Sequence, residues 1–306
     1  MRRVLLFLYC LTLPQFLSAQ TAEKLAEEAH LASINALLIF TSQDSLTSGI
    51  YRFVNISANM EVYHLPFTYH FKSDKRYNYF IVGNVGYSRS YLTSNVTPPA
   101  GTTLTYENHI RTYTAGIGGG LRYKTSESTS ILGGLEVIYS RSGSSLQTND
   151  THIDDTLKDL FNQDYSDNIT YKFFTLAEYR PEDYKFKPYA SVAFKLYQTK
   201  SSINVDSLRT FTTQSNVTTL TFGAETPKLF GFDEKYLTLE GYINGNYLGG
   251  DVAKAAKFDS YETFGAVTYL YTPGYKYAKR FFVEISTVRS YGLEGYNFGV
   301  GFTARF

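Results

Sequence analysis

The sequence contains one cysteine, no tryptophan, no long apolar segment after its first residues and almost no net charge. The single cysteine is Cys10, so the rest of the chain is expected to use neither a disulfide nor a thiolate metal site. No later segment stays apolar for about 18 residues, which argues against a membrane-spanning helix. The formal charge is +1, and about −1 once Arg2 and Arg3 are set aside. This balance argues against nucleic acid as a partner.

The beginning of the chain has the pattern of a secretory signal peptide. Met1 is followed by Arg2 and Arg3, then by an apolar run from Val4 to Leu17 that Pro14 interrupts, and then by Ser18-Ala19. The run is too short for a membrane helix, and the small residue at position 19 suits cleavage. We therefore predict export through the inner membrane, with three parts of the chain: 1–19 as a cleaved signal peptide, 20–48 as a helix and linker, and 49–306 as the main domain.

Residues 21–40 are predicted to form a helix. Thr21 is a suitable N-cap, and Leu25, Ala29, Ala32 and Ala36 recur on one face. A polar segment beginning at residue 41 separates this helix from the main domain.

Aromatic residues are abundant: 17% of the chain is aromatic, with 28 Tyr and 23 Phe. From residue 49 onward aromatic and aliphatic residues recur at every second position of several segments, as at Tyr63, Leu65, Phe67, Tyr69 and Phe71. Such alternating segments of about ten residues are typical of a barrel that keeps all its backbone groups paired within lipid. The candidate strands are 49–58, 60–71, 77–92, 106–123, 130–141, 168–180, 188–199, 215–226, 236–247, 259–272, 280–290 and 296–306. The sequence therefore predicts an all-β, 12-stranded antiparallel transmembrane β-barrel, with both chain ends in the periplasm.

The final strand carries the clearest alternation. One face is expected to hold the apolar residues Tyr296, Phe298, Val300, Phe302 and Phe306. A strand of this kind at the C-terminus, ending in Phe, resembles the signal recognised by the outer-membrane barrel assembly machinery. We expect this row to face lipid and that machinery to be a partner.

Charged residues can be assigned to the lumen or the lipid by their parity relative to the aromatic rows, because a charge facing the bilayer midplane costs about 2–4 kcal/mol. The residues predicted to face the lumen are Arg122, Glu136, Lys172, Glu178, Glu240, Glu262 and Glu284. Four arginines fall on the lipid-facing parity near the outer loops: Arg89, Arg111, Arg141 and Arg289. They are predicted to contact phosphates of lipopolysaccharide, the alternative being that they extend into solvent at the rim.

No catalytic arrangement is recognisable. His109, His64 and His70 have no nearby nucleophile motif, so ordinary lumen or surface histidines are the preferred interpretation. The acidic segment 150–155 sits in a long polar loop, where a solvated cluster is favoured over a loose divalent-ion site. Gly118, Gly119 and Gly120 lie within a strand, where glycine permits close packing. We predict no enzyme activity, no cofactor and no metal.

The short N-terminal helix, the polar linker beginning at Thr41, twelve strands and the terminal Phe306 together resemble the solitary autotransporter-like barrel family of the Gram-negative outer membrane. A barrel of this size has a lumen about as wide as one helix, roughly 10–12 Å. The resemblance implies a translocator-like fold without a passenger, since only a few residues precede the helix after cleavage. The 21–40 helix is expected either to plug the lumen or to rest near its periplasmic mouth.

Three functions remain open at this stage. The first is a structural or weakly pore-forming protein with the helix in its lumen, the second is a porin-like solute channel, and the third is a surface lipase or protease. The sequence does not indicate an oligomeric state.

Overall fold

A computed structural model describes residues 48–71, 76–96, 104–148, 165–181, 183–202, 210–275 and 278–304. Nearly all of these residues lie in antiparallel strands. The elements are β1 (Ser48–Phe53), β2 (Ala58–His70), β3 (Tyr77–Val96), β4 (Leu104–Lys124), β5 (Thr129–Thr148), β6 (Ser166–Tyr179), β7 (Lys187–Ser202), β8 (Thr210–Glu225), β9 (Phe230–Phe232), β10 (Lys235–Gly250), the helix α1 (Asp251–Ala256), β11 (Ser260–Tyr271), β12 (Ala278–Arg289) and β13 (Leu293–Ala304).

The strands close into a ring. Each strand pairs with its neighbours in chain order, β8 pairs with β10, and β13 pairs back onto β1. The three-residue β9 pairs only with the beginning of β10 and stands outside the ring. The predicted 12-stranded antiparallel barrel is therefore confirmed. The signal peptide, the 21–40 helix and Phe306 lie outside the described residues.

The alternation of side chains explains this closure. On β2 and β3, the exposed side chains include Leu65, Phe67, Tyr79 and Val85, whereas the polar His64 is buried inside. Across their middle parts these strands thus alternate apolar outward residues with inward ones, and a closed ring leaves no unpaired strand edge. Ten residues of tilted strand span roughly 25 Å, the height of the apolar band of an outer-membrane barrel.

Both chain ends of the described barrel lie at one end, which we call the terminal end; the opposite end is the far end. A short turn at the terminal end joins β4 to β5, and β1 and β2 meet at the far end through a tight turn. The predicted first strand, 49–58, is wrong at its end, because residues 54–57 form this turn and Ser57 has a φ of 50°. Asn55 lies within it, and asparagine favours turns.

A cluster of glycines in the wall makes room for two aromatic rings. Gly120 on β4 and Gly134 on β5 are register partners on the inward face. The rings of Phe80 and Phe174, from the strands on either side, lean over them with centroids 6.2 Å apart. A Cβ at Gly134 would meet both the Phe174 ring and the backbone of β4. Glycine is required here for packing, as the sequence predicted for this segment of β4.

We expect Gly134→Ala to lower the free energy of unfolding by about 1–3 kcal/mol, because it overpacks the wall. The matched control is Gly241→Ala, since no atom lies within 4 Å of a Cβ at that outward-facing position. Urea unfolding in detergent, followed by the heat-dependent electrophoretic shift of the folded barrel, measures both. Equal stability of the two variants would contradict the packing argument.

Candidate functional site: the barrel interior

A charged cavity of about 240 Å³ lies in the wall region formed by β2 to β7. At its centre, Lys172 Nζ lies 2.8 Å from Glu136 Oε2. Asn84 donates a hydrogen bond to the other oxygen of the same carboxylate. Both charged side chains are almost fully buried, 4% exposed for Glu136 and 7% for Lys172. Arg122, Lys195, His64 and His70 complete the polar lining, which makes this side of the interior cationic.

A second cavity, of about 390 Å³, lies along β6 to β12. Its carboxylates are capped by tyrosine hydroxyls: Tyr189 donates to Glu240 at 2.7 Å, and Tyr242 donates to Glu284. Tyr269 also donates to Glu240, at 3.4 Å.

Cations balance these acids in the second cavity. Arg280, Arg180 and Lys195 line it together with Glu178, Glu240 and Glu284. The Arg280 guanidinium carbon lies 4.2 Å above the Tyr269 ring. The two cavities share Leu176, Ala193 and Lys195 in their lining, and we call them together the polar space in the terminal half of the barrel.

Part of the far half of the interior is apolar, whereas the inward residues of β3 to β6 at this level are mainly buried serine, threonine and asparagine, such as Ser88, Thr112 and Asn168. A cluster of buried side chains, which we call the apolar layer, extends inward from eight strands and α1. Its members are Tyr51, Phe53, Ala58, Met60, Val62, Tyr197, Val217, Leu248, Val252, Tyr261, Val288 and Leu293. Val62, Tyr197, Val288 and Leu293 are 0% exposed. The strands contributing to the layer include β1, β2, β7, β8 and β10, so it reaches from one side of the ring to the other.

The helix α1 covers this layer at the far mouth. Its first turn is fixed to β8, because the Ser215 hydroxyl accepts a hydrogen bond from the backbone N–H of Val252 at 3.1 Å. Its end is fixed to the β1–β2 turn, where Asn55 donates to the carbonyl of Lys257 at 3.0 Å. Phe258 then stacks on Phe53, with ring centroids 6.2 Å apart. The connection between β10 and β11 therefore crosses the mouth and is attached on both sides.

Six of the seven residues predicted to face the lumen lie on the inward face. Glu136, Lys172, Glu240 and Glu284 are buried there, and Arg122 and Glu178 line the two cavities. They form two groups rather than one: Arg122, Glu136 and Lys172 in the first cavity, and the glutamates 178, 240 and 284 in the second.

The lumen prediction is wrong for Glu262, which is exposed on the outward face of β11. Its neighbours Tyr261 and Thr263 are buried inside. The aromatic residues of β11 occupy both parities, and the sequence assigned the tyrosine row to lipid. In the structure Tyr261 and Tyr269 face inward, while Phe264 faces outward.

The four arginines predicted on the outer face are all placed there, near the far end, but in different surroundings. Arg141 forms an ion pair with Asp167, with Nε 2.9 Å from Oδ1. Arg289 has Glu262 and Glu294 as its register partners on β11 and β13. Arg89 and Arg111 are register partners of each other.

The C-terminal row faces outward as far as it is described. Tyr296, Phe298, Val300 and Phe302 are between 50% and 70% exposed. Their outward orientation suits contact with lipid. Recognition of this row by an assembly machinery stays a prediction.

The histidines form no recognisable catalytic arrangement with the described residues. His109 lies on the outer face, where its Nε2 is 2.9 Å from Glu107 Oε1, and its ring meets Tyr91 edge-on. His70 lies 3.0 Å from the Asn78 side chain. Within the described ranges, no group of three His, Cys, Asp or Glu residues could hold a metal ion. The acidic segment 150–155 lies outside those ranges. Among the described residues, no helix is long and apolar enough to cross a membrane.

Sequence reasoning missed the apolar layer and α1. Strand β1 has apolar residues on both parities, Ile50 outward and Tyr51 inward, so alternation alone gave no direction. The segment 251–256 falls between the predicted strands 236–247 and 259–272, and no helix was predicted there. The available signal for a helix was the spacing of four residues between the apolar Val252 and Ala256.

A closed ring of strands with an apolar outer surface and a polar interior defines a transmembrane β-barrel. Solved structures of autotransporter barrels share this fold. The translocator domain of autotransporter NalP from Neisseria meningitidis matches with a TM-score of 0.57, 10% identity, and 85% of each chain covered. The β domain of the Bordetella autotransporter BrkA matches with a TM-score of 0.57 and 10% identity, over 85% of this chain and 96% of that one.

The transport unit of the autotransporter AIDA-I from Escherichia coli matches with a TM-score of 0.56 and 10% identity, over 93% of this chain and 99% of that one. The predicted resemblance to autotransporter-like outer-membrane barrels is thus confirmed at the level of the fold. No protein-family model and no curated protein matches the chain.

Proposed function

We propose that this protein is a non-enzymatic barrel of the Gram-negative outer membrane, structural or only weakly pore-forming, whose lumen is closed at the far end. The terminal end faces the periplasm and the far end faces outward. The observation that carries the proposal is the apolar layer, in which side chains from opposite walls are buried against each other. An apolar constriction of this kind excludes water and therefore ions.

In this proposal the polar space in the terminal half is a vestibule open to the periplasm. Two ion pairs lie within its wall, Glu136 with Lys172 and Glu178 with Arg180. The 21–40 helix, delivered behind a cleaved signal peptide, would enter or rest against this vestibule. The proposed plug is therefore double: an apolar layer built by the barrel and a helix supplied by the N-terminal segment.

The solute channel remains the second candidate, because the two cavities offer about 240 and 390 Å³ of polar space. A channel needs a continuous path, and the apolar layer interrupts it at the far end. Solute entry would require α1 and the layer to move apart.

Conductance across planar bilayers tests the proposal. We expect the intact protein to conduct far less than a general porin measured in the same bilayers. A variant lacking residues 20–40 should remain nearly closed, because the apolar layer is still present. Large, steady conductance of the intact protein would overturn the closed-barrel proposal, and a fluorogenic lipase or protease activity in the refolded protein would overturn its non-enzymatic part.

A further inference from the structure

Two arginines lie opposite each other on neighbouring strands of the outer surface near the far end. Arg89 on β3 and Arg111 on β4 are register partners, so their Cα atoms lie directly across the strand pair. Both side chains project from the outward face. Like charges placed directly opposite each other destabilise a strand pair unless an anion lies between them.

Neither guanidinium is neutralised by the protein. Within the part of the chain that the structure describes, no carboxylate is within ion-pairing distance of Arg89 or Arg111. Glu61, the register partner of Arg89 on β2, makes no ion pair with it. The Nε of Arg89 is buried and has no hydrogen-bond partner. The Arg89 guanidinium carbon lies 4.9 Å from the centroid of the Tyr91 ring, and no carboxylate of the described residues compensates its charge, so the pair can attract an external anion.

The level of the pair on the barrel identifies where that anion must lie. One row closer to the membrane centre, Tyr63, Tyr87 and Tyr113 form a continuous band, with centroids 6.3 Å and 5.0 Å apart along it. Tyrosine bands mark the interface between hydrocarbon and headgroups. Arg89 and Arg111 lie two residues beyond this band, about 6.6 Å further along the strands. That is the level of lipid headgroups.

We propose that Arg89 and Arg111 form a binding site for a phosphate group of a phosphorylated lipid in the outer leaflet. The inference rests on the membrane orientation proposed above. Two guanidinium groups side by side can each present two N–H donors to phosphate oxygens, in charge-assisted hydrogen bonds. The bound phosphate would remove the repulsion between the arginines.

The other two outward arginines do not share this property. Asp167 already occupies the guanidinium of Arg141, through Nε–Oδ1 and Nη2–Oδ2 contacts of 2.9 and 3.3 Å. Arg289 has an acid as its register partner on both sides, Glu262 and Glu294, and these acids repel a phosphate. Arg89 has one such acid, Glu61, and Arg111 has none. Arg289 is therefore a matched control: the same residue type, the same outward face and the same end of the barrel.

The test uses the full chain refolded in detergent micelles and titrated with diphosphorylated lipid A, with bound lipid counted by native mass spectrometry. We expect the double variant Arg89→Gln/Arg111→Gln to weaken binding about tenfold or more, because charge-assisted bonds are lost. Arg289→Gln should bind as tightly as the unaltered protein. Lipid A from which both phosphates have been removed should bind all three proteins equally weakly.

Several outcomes would overturn the site. Unchanged lipid A binding by the double variant would show that Arg89 and Arg111 do not form the binding site. A loss of binding in Arg289→Gln as large as in the double variant would show a general effect of charge. Displacement of the lipid by inorganic phosphate alone would show a site for free phosphate instead of a lipid headgroup. Stability without lipid separates binding from folding: the double variant should be at least as resistant to urea as the unaltered protein, because it loses a repulsion. If the orientation in the membrane were wrong, lipid A would still bind in micelles but surface labelling of residue 89 in cells would fail.

Discussion

Replacing Tyr51 and Tyr261 with alanine should convert a nearly silent barrel into one with frequent channel openings. The two rings lie in the apolar layer and are 1% and 2% exposed, on β1 and β11. Their removal leaves a gap that water can fill, and a wetted constriction no longer excludes ions. We expect the frequency of discrete openings in planar bilayers to rise about tenfold or more relative to the unaltered protein.

The control variant carries the same type of substitution on the outer face of the barrel. Tyr63→Ala/Tyr113→Ala removes two tyrosines that are 51% and 59% exposed on the outer surface. It should leave conductance unchanged. If the layer variant folds and stays silent, while deletion of residues 20–40 opens the barrel, then the N-terminal segment alone closes the lumen. The apolar layer would then be only a packing feature.

Removal of the Lys172 charge should produce the largest loss of stability among single substitutions in the interior. In Lys172→Met, Glu136 keeps its charge in a buried site and loses the ammonium 2.8 Å away. Breaking a buried ion pair in this way costs about 3–5 kcal/mol of the free energy of unfolding. Urea titration of the folded fraction at neutral pH measures the loss.

Two further variants separate the charge from the packing. Lys172→Met/Glu136→Gln has no unpaired charge and should recover most of the lost stability, because Asn84 can still hydrogen-bond to the new amide. Lys254→Met breaks a pair with Asp251 at 3.2 Å in which the lysine side chain is 80% exposed. Its effect should be small, as is usual for surface pairs. A loss in the double variant as large as in the single variant would contradict the electrostatic explanation.

The sequence predicted the barrel because strand alternation and the need to pair every backbone group act along the whole chain. Parity placed Glu136 correctly because its strand carries its one aromatic residue, Tyr139, on the outward face. It placed Glu262 wrongly because tyrosine suits either environment: a ring at the lipid interface, or a hydroxyl that caps a lumen carboxylate, as Tyr269 does for Glu240.

The contacts between inward-facing side chains could not be predicted from the sequence, for a different reason. Which inward residues meet depends on the stagger of the strands around the ring, and stagger is set by closure. Tyr51 and Tyr197 are far apart in the chain and on different walls, yet both belong to the apolar layer. The register partnership of Arg89 with Arg111 likewise appears only when β3 and β4 are paired.

The joint between β1 and β13 has a consequence for how the barrel forms. It joins residues as distant as Ser48 and Phe298, 250 positions apart, whereas every other joint connects strands much closer in the chain. Its described part has six residue pairs, from Ser48–Phe298 to Phe53–Leu293, compared with the long pairing of β3 with β4. Contacts of such high contact order have a large loop-closure entropy and form slowly. The ring is therefore expected to close last at the joint between β1 and β13, after the long central strands have already assembled as a curved sheet.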